Sequence, residues 1–290
     1  MIIVVVGPTA VGKTKMSVEL AKIYNGEIIN ADSTQVYRGM DIGTAKVTKE
    51  EMQGIKHHLL DICDVEDLYT VYDYQKDARE KIEEIKNKGK IPILVGGTGL
   101  YIKAALYNYD FVDTDNLDYI DDLSDEEIIK KIKEYGDMEI DFSNRRRLVS
   151  TLKMLASEDT QVLDKNHLLY DDVIFIGLTT KRDILYEKIN KRFDAMLVNL
   201  VDEVKEFYKK GIRTKALNTA IGYKELYKFF DDEDTFANVI DECKQTTRNY
   251  AKRQYTWFNN QMEIKWFDVN FEDFSKTLDE ACLYIDSQNT

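Results

Sequence analysis

The sequence predicts an α/β fold: a parallel sheet with helices on both faces, interrupted by a small helical insertion and followed by a helical C-terminal region. Three observations predict it. Short apolar runs of strand length alternate with segments whose apolar residues recur at helical spacing, the pattern of successive βα units. The first run opens directly into Gly7-Pro8-Thr9-Ala10-Val11-Gly12-Lys13-Thr14, a G-x-x-x-x-G-K-[ST] pattern between a strand and a helix, which is the P-loop context. From Asp183 onward the patterning is mainly helical.

The elements follow in order. Ile2 to Val6 is a β-branched strand, and Lys15 to Tyr24 is the amphipathic helix after the P-loop. Gly26 to Asn30 reads as a second short strand that ends in the polar Asp32-Ser33-Thr34-Gln35. Tyr74 to Lys88 places Ala78, Ile82 and Ile85 at helical spacing and stops at Gly89. Ile91 to Val95 is a buried-type strand running straight into Gly96-Gly97-Thr98-Gly99, and Val173 to Leu178 is another such strand. Leu123 to Tyr135 is amphipathic but lies in an acidic, loop-like setting, so 112–142 reads as a helical insertion into a core made of 1–111 and 143–290. A long helix is expected from about Thr235 to Asn260. Ligands of such sheets bind at the carboxyl ends of the strands. The polar loops 32–35 and 96–99 leave strands at that edge, beside the P-loop.

The P-loop states its own chemistry. Its glycines let backbone N–H groups converge on phosphate oxygens at a helix N-terminus, where the dipole favours negative charge. Lys13 reaches the outer phosphates and the Thr14 hydroxyl ligates Mg²⁺. A phosphorylated ligand follows, without its identity.

Composition removes other classes. The chain of 290 residues, 43% hydrophobic, can fill a real core as one large domain or two small ones. Cys63, Cys243 and Cys282 form an odd set without C-x-x-C spacing, against a disulfide framework or a zinc site and in favour of a reducing compartment. No apolar run approaches the roughly 20 residues of a membrane span, and the N-terminal run lacks the flanks of a secretory signal. A cytoplasmic protein is expected. The net charge of −13 speaks against nucleic acid globally, yet binding depends on local patches. Acid is concentrated in Asp110 to Glu139 and Asp231 to Asp241. Arg145-Arg146-Arg147 and Lys244 to Arg253 are concentrated basic stretches, which read equally as solvated helix faces or as anion-binding surfaces.

In combination these segments resemble one family, the bacterial tRNA dimethylallyltransferases (tRNA isopentenyltransferases). The resemblance is carried by Gly7 to Thr14, Asp32-Ser33-Thr34-Gln35-Val36-Tyr37 and Gly39-Met40-Asp41-Ile42-Gly43-Thr44-Ala45-Lys46. It continues through His57-His58-Leu59-Leu60-Asp61, Gly96-Gly97-Thr98-Gly99-Leu100-Tyr101, Ala220-Ile221-Gly222-Tyr223-Lys224-Glu225 and Lys252-Arg253-Gln254-Tyr255-Thr256-Trp257-Phe258. A P-loop alone fits many families, whereas this ordered set, spanning residue 2 to about 258, is specific.

The resemblance implies that the P-loop holds the diphosphate of dimethylallyl diphosphate rather than ATP. It implies an acceptor at the exocyclic N6 amine of the adenosine just 3′ of the anticodon, in the anticodon stem-loop of tRNA. Lys13, Thr14 with Mg²⁺, and Thr9 then take up leaving-group charge, and Arg192 matches the arginine that contacts the diphosphate. Asp32 matches the general base that relieves the weakly nucleophilic amine of its proton. From position alone Asp32 equally caps the following turn or holds Mg²⁺ through water, and Arg192 equally makes a surface ion pair beside Asp183 and Glu187. Thr98 either caps a helix or meets the tRNA. Ser33, Thr34 and Gln35 are placed at the RNA, with the Gln35 amide suited to an adenine edge. Arg145, Arg146, Arg147, Lys252, Arg253 and Trp257 match the other RNA-contacting segments, where cations and aromatics suit phosphate contact and stacking. His57 and His58 read as structural. The expected enzyme is a monomer.

Two departures stand out. After the arginine triplet the family continues through another arginine into an Ala-Leu-Glu segment, whereas here Ser150-Thr151-Leu152-Lys153 follows. The insertion is short and strongly acidic, which should repel phosphate. Eukaryotic relatives can carry a C-terminal zinc finger, which three cysteines spaced this way cannot build. Two other function classes use the same cradle: a P-loop kinase of nucleosides or small acids, and a nucleotide-dependent RNA-binding switch. The kinase does not explain the Lys252 to Trp257 segment, and the switch would show nucleotide-modulated RNA affinity with no chemical change in the RNA.

Overall fold

Five successive apolar residues in a strand are stable only where both faces are covered, and Ile2 to Val6 are all fully buried. They form the strand around which everything else is arranged. In a computed structural model that describes residues 1–108, 115–136, 142–157 and 167–288, the elements follow in order. They are β1 (Ile2–Val6), α1 (Lys13–Ile23), β2 (Gly26–Asn30), α2 (Lys49–Met52), β3 (His57–His58), α3 (Val71–Asn87), β4 (Ile91–Val95) and α4 (Gly99–Leu106). A 3₁₀ helix (Asp115–Asp122), α5 (Asp125–Glu134) and α6 (Arg145–Ala156) come next. The chain ends with β5 (Val173–Thr179), α7 (Arg182–Lys209), α8 (Lys215–Thr219), α9 (Tyr223–Phe230), α10 (Phe236–Gln261), β6 (Lys265–Asp268) and α11 (Phe274–Gln288).

The six strands form one parallel sheet in the order β3-β2-β4-β1-β5-β6. β1 is central, with β4 on one side and β5 on the other, so the chain changes direction across the sheet at the strand that opens into the P-loop. Ligands of open α/β sheets bind at such a switch point. The strands expected at 2–6, 26–30, 91–95 and 173–178 are all present. The edge strands β3 and β6 are additional to the sequence reading. His57 and His58 supply β3; His58 shares a hydrogen bond with Glu27 of β2 at 2.7 Å, and His57 lies in the wall of the smaller cavity described below.

Helix starts are set by local chemistry. Thr48, Thr70 and Ser124 each cap a helix through a capping box, with Glu51, Asp73 and Glu127 returning the bond. α1 instead begins at Gly12, whose φ of 102° only glycine adopts without strain, and Lys13 is its first residue.

Met1–Leu106 with Tyr170–Thr290 make one compact unit, and Tyr107–Leu169 a second. The larger unit has a core around the sheet (Ile3, Val5, Met16, Leu20, Ile28, Ile93, Ile176). A second core packs Val36 and Met40 against Leu200, Val204, Leu217, Tyr223, Leu226 and Val239. The small unit extends past the insertion expected at 112–142; the start of that range, and 137–141 near its end, lie outside the described residues. Its core joins Ile120, Ile128 and Ile132 to Leu148 and Leu152 of α6. Arg145 also pairs with Asp125, but an exposed ion pair contributes at most about 1 kcal/mol. Burying one Leu contributes about 1.5–3 kcal/mol, so apolar packing is what assigns α6, and the arginine triplet with it, to this unit. Its two ends meet: Tyr107 and Leu168 form an antiparallel bridge, and Asn108 N–H donates to His167 O at 2.8 Å.

Gly96 leaves β4 against the backbone of Ala31, where a Cβ would lie 2.1 Å from the Ala31 carbonyl oxygen. Both groups belong to adjacent strand ends and neither can yield. Gly96→Ala is therefore expected to lower the unfolding free energy by more than about 2 kcal/mol, measured by urea denaturation. A loss below about 0.5 kcal/mol, the range of neutral surface changes, would contradict this packing.

Candidate active site

Parallel pairing brings three loop starts together. Val95 lies beside both Val5 and Asn30, so the loops after β1, β2 and β4 emerge side by side, as the sequence reading expects. They are 7–12, 31–35 and 96–99. α10 crosses over them, and Gln254 from its buried face joins two: the Gln254 Oε1 accepts from Thr9 N–H at 2.9 Å while Nε2 donates to Gly97 O at 3.1 Å.

In the P-loop, a Cβ on Gly7 would stand 2.4 Å from Leu178 O, so this glycine is required by close approach to β5. The Lys13 ammonium donates to Gly7 O (2.9 Å) and Pro8 O (2.8 Å). Burial pushes Lys13 down to about 7, Asp32 opposes that shift, and Arg192 adds to it. Arg192, on α7, donates from Nη2 to the Thr9 hydroxyl at 2.6 Å. Burial lowers its guanidinium too, against the pull of Asp32. The surface ion pair open to Arg192 in the sequence is made by its neighbour: Lys191 pairs with Glu187 at 2.5 Å.

Asp32 does cap the following turn, since its Oδ1 accepts from Thr34 N–H (2.9 Å) and from the Thr34 hydroxyl (2.6 Å). The loop behind it is fixed by Asn30, which accepts from Asp32 N–H at 3.1 Å and donates to Leu59 O at 3.0 Å. Thr98 does not cap α4 with its side chain. Its Oγ1 accepts from Ser33 N–H at 3.0 Å, and its own N–H donates to Ala31 O at 3.1 Å, so it ties the second and third loops together. The Gln35 amide, expected to be available to a base edge, donates to Thr44 O at 3.0 Å.

Two cavities meet here. One, of about 310 Å³, is lined by Thr9, Ala10, Gly12, Lys13, Thr14, Asp32, Gln35 and Arg192. The other, of about 520 Å³, is lined by Thr9, Asp32, Ser33, Thr34, Gly43, Thr44, Gly97, Thr98, Arg192, Lys224, Tyr250, Arg253, Gln254 and Trp257, with an apolar wall of Ile189, Phe193, Met196, Ile221 and Phe258. Thr9, Asp32, Thr44, Gly97, Arg192, Tyr250 and Gln254 belong to both. The larger volume lies within the range of small-molecule sites. Trp257 presses on the third loop, where a Cβ on Gly99 would stand 2.0 Å from its ring.

The remaining basic candidates divide. Arg253 lines the larger cavity while Lys252 is exposed and lines neither. Arg145 is committed to Asp125 and to the carbonyls of Asp121 and Leu123 (both 2.8 Å), whereas Arg146 and Arg147 are exposed. Lys153, where the family pattern is broken, pairs with Asp121 at 2.6 Å and Asp118 at 3.2 Å. The sequence reading singled out no role for Gln254, Tyr250 or Lys224. A lone Gln carries no pattern, but the apolar wall had one: residues 189, 193 and 196 share a helix face with Arg192.

Among the described residues no three His, Cys, Asp or Glu side chains gather to cage a metal. Mg²⁺ needs no such cage, because it keeps water and substrate phosphate oxygens and takes one or two protein oxygens. Thr14 and Asp32, in the wall of one cavity, are a donor set of that kind.

A family model described as IPP transferase matches residues 35–261. A tRNA dimethylallyltransferase of Anoxybacillus flavithermus is 43% identical, over 99% of this chain and 96% of that one. One from Bacillus subtilis is 44% identical, over 92% and 90%. Among solved structures, a full-length tRNA isopentenylpyrophosphate transferase from Bacillus halodurans superposes with a TM-score of 0.77 at 41% identity, covering 99% of this chain and 96% of that one. A eukaryotic dimethylallyltransferase captured acting on tRNA superposes with a TM-score of 0.84 at 27% identity, covering 97% and 77%.

The depressed Lys13 has a measurable consequence. In the free protein this amine loses its proton around pH 7, well below its ordinary value of 10.5, and an arriving anion restores the charge. Pyrophosphate binding at pH 8 is therefore expected to take up close to one proton, read by calorimetry in buffers of different ionisation enthalpy. Lys13→Met should abolish the uptake. Binding without proton uptake in the wild type would show that Lys13 stays charged throughout.

Proposed function

The chain belongs to the IPP transferase family, and we propose that it transfers a dimethylallyl group from dimethylallyl diphosphate to N6 of the adenosine 3′-adjacent to the anticodon of tRNA, releasing pyrophosphate. One observation carries the reading: a phosphate cradle opens, at Asp32 and Arg192, directly into a larger cavity with an apolar wall. A diphosphate in the cradle directs its prenyl carbon to the shared boundary, and a base entering the larger cavity meets it there.

In the reaction the bond between C1 of the prenyl group and the diphosphate oxygen breaks, and its electron pair leaves with pyrophosphate. A bond forms between N6 and C1, and the N6 proton passes to Asp32. Lys13, Arg192 and the P-loop N–H groups take up the negative charge that develops on the leaving group, the largest single contribution such sites make. The Arg192 bond to the Thr9 hydroxyl fixes the guanidinium before the ligand arrives. Asp32 lies close enough to oppose the lowering that burial imposes on Lys13 and Arg192. Mg²⁺, held by Thr14 and by water near Asp32, would neutralise diphosphate charge when bound.

The acceptor must leave its stack to reach this depth. Ser33, Thr34 and Thr98 offer hydrogen bonds, while Tyr250, Trp257 and Arg253 offer stacking and phosphate contact. Lys252, Arg146 and Arg147 would add phosphate contacts farther out. A kinase reading leaves the apolar wall and the α10 aromatics without a role. The enzyme acts in the cytoplasm as a monomer, consistent with three free thiols and with no described helix long and apolar enough to cross a membrane.

The direct test is mass spectrometry of nucleosides from unmodified tRNA incubated with the protein, Mg²⁺ and dimethylallyl diphosphate. N6-dimethylallyladenosine is expected; its absence with active tRNA and bound diphosphate would sink the assignment. The role of Asp32 is separable from its cap. Asp32→Asn keeps an acceptor for Thr34 and is expected to lower turnover by roughly 10²–10⁴-fold while pyrophosphate affinity survives. Loss of that affinity would give Asp32 to the metal instead.

A further inference from the structure

One carboxylate outside the assigned site spends its whole acceptor capacity inside the protein, three bonds of four on backbone. Glu203 lies on α7, the helix that also carries Arg192 and the apolar wall. Its Oε2 accepts from Asp41 N–H and Ile42 N–H, both at 2.8 Å; its Oε1 accepts from Gly43 N–H at 3.1 Å and from the Tyr223 hydroxyl at 2.5 Å. An ionised carboxylate has about four lone-pair sites, and all are taken. Three successive N–H groups converging on one anion is the arrangement of a helix N-terminus or a nest. Here a distant helix of the same chain supplies the anion.

The turn it holds is fixed from its other side as well. Gln35 donates to Thr44 O at 3.0 Å, and the nearly buried Lys46 ammonium donates to Tyr37 O (2.8 Å), Asp41 (2.6 Å) and Asp61 (2.5 Å). Tyr223 is fully buried beneath Gly43, where a Cβ would come within 2.4 Å of its ring. The product of all this is the position of Gly43 and Thr44, both in the wall of the larger cavity, with Thr44 and Ala45 also lining the smaller one.

We infer that Glu203 is a positioning residue for the acceptor: its carboxylate seats the 40–46 turn on the helix that carries Arg192, and so fixes the acceptor wall relative to the diphosphate. This rests on the reading that the base enters the larger cavity. Glu203 touches no reacting atom. Its effect falls on how the acceptor is received, because misplacement of a cavity wall is costly in rate even when the chemistry is distant.

The test compares Glu203→Gln with wild type in full-length protein, varying tRNA and dimethylallyl diphosphate separately. The amide keeps the size of the carboxylate but presents N–H groups to N–H groups. The KM for tRNA is expected to rise roughly 10- to 100-fold, while the KM for dimethylallyl diphosphate and the Kd of pyrophosphate stay within about twofold. Hydrogen exchange should accelerate in a peptide carrying 41–46 and not in one carrying 2–14. Tyr223→Phe, which removes one bond of the four, should shift the tRNA KM less in the same direction. A Glu203→Gln enzyme with an unchanged tRNA KM overturns the inference. So does a parallel loss of pyrophosphate binding and melting temperature, which marks a general structural role. An inactive wild type overturns both this and the functional reading; an active wild type with an indifferent variant overturns this one alone.

Discussion

A single carboxamide sets the terms for the site. Gln254 must donate to one loop and accept from another at once, which a carboxylate or an aliphatic side chain cannot do. Leaving either buried partner unpaired costs about 1–3 kcal/mol. The spacing between the P-loop and the loop after β4 is therefore set by the length of one side chain on α10. The loop after β4 accommodates it: a Cβ on Gly97 would sit 1.9 Å from the Gln254 nitrogen. Thr9, held by its N–H to Gln254, offers its hydroxyl to Arg192. The sheet, α10 and α7 are thus joined through one P-loop residue, and two helices remote from the P-loop in sequence help decide where its phosphate donors point.

Charge at this junction runs against the chain as a whole. The protein carries −13, yet burial lowers both Lys13 and Arg192, Arg192 lowers Lys13 further, and Asp32 opposes both shifts. A polyanion answers that imbalance better than water does. The basic stretch of α10 divides its labour: Lys244 pairs with Asp194 of α7 at 2.5 Å, and Arg248 donates to Asn190 at 2.8 Å. Half of the basic stretch is mortar between helices, which leaves Lys252 and Arg253 for other work.

Much of this was legible in the chain, for physical reasons that differ by element. The interior strands β1, β2, β4 and β5 announce themselves because burial on both faces demands continuous apolar runs. The edge strands do not: β3 is two histidines, and β6 alternates Lys265, Trp266, Phe267 and Asp268 with one buried position, too short to register a period. The P-loop was legible as a motif because backbone geometry demands glycine at fixed offsets. Gln254 and Glu203 were not, because their partners lie 245 and about 160 positions away, and nothing local marks a side chain whose purpose is remote. Asp32 shows a middle case. Both its turn-capping and its catalytic readings were open, and the two are compatible, since the cap uses one oxygen and the carboxylate has two.

The small unit closes on itself where it begins and ends, Tyr107 pairing with Leu168 and Asn108 with His167. For the host fold, the entropy of closing such a loop depends on the gap between its ends and grows only slowly with the length in between. A tethered cassette of this kind can gain or lose residues, exchange its charge or be replaced outright while the sheet goes on threading as before. The acidic composition of this segment need not obey the constraints that fix the catalytic half. The paired ends, not the residues between them, are what the sheet's threading depends on.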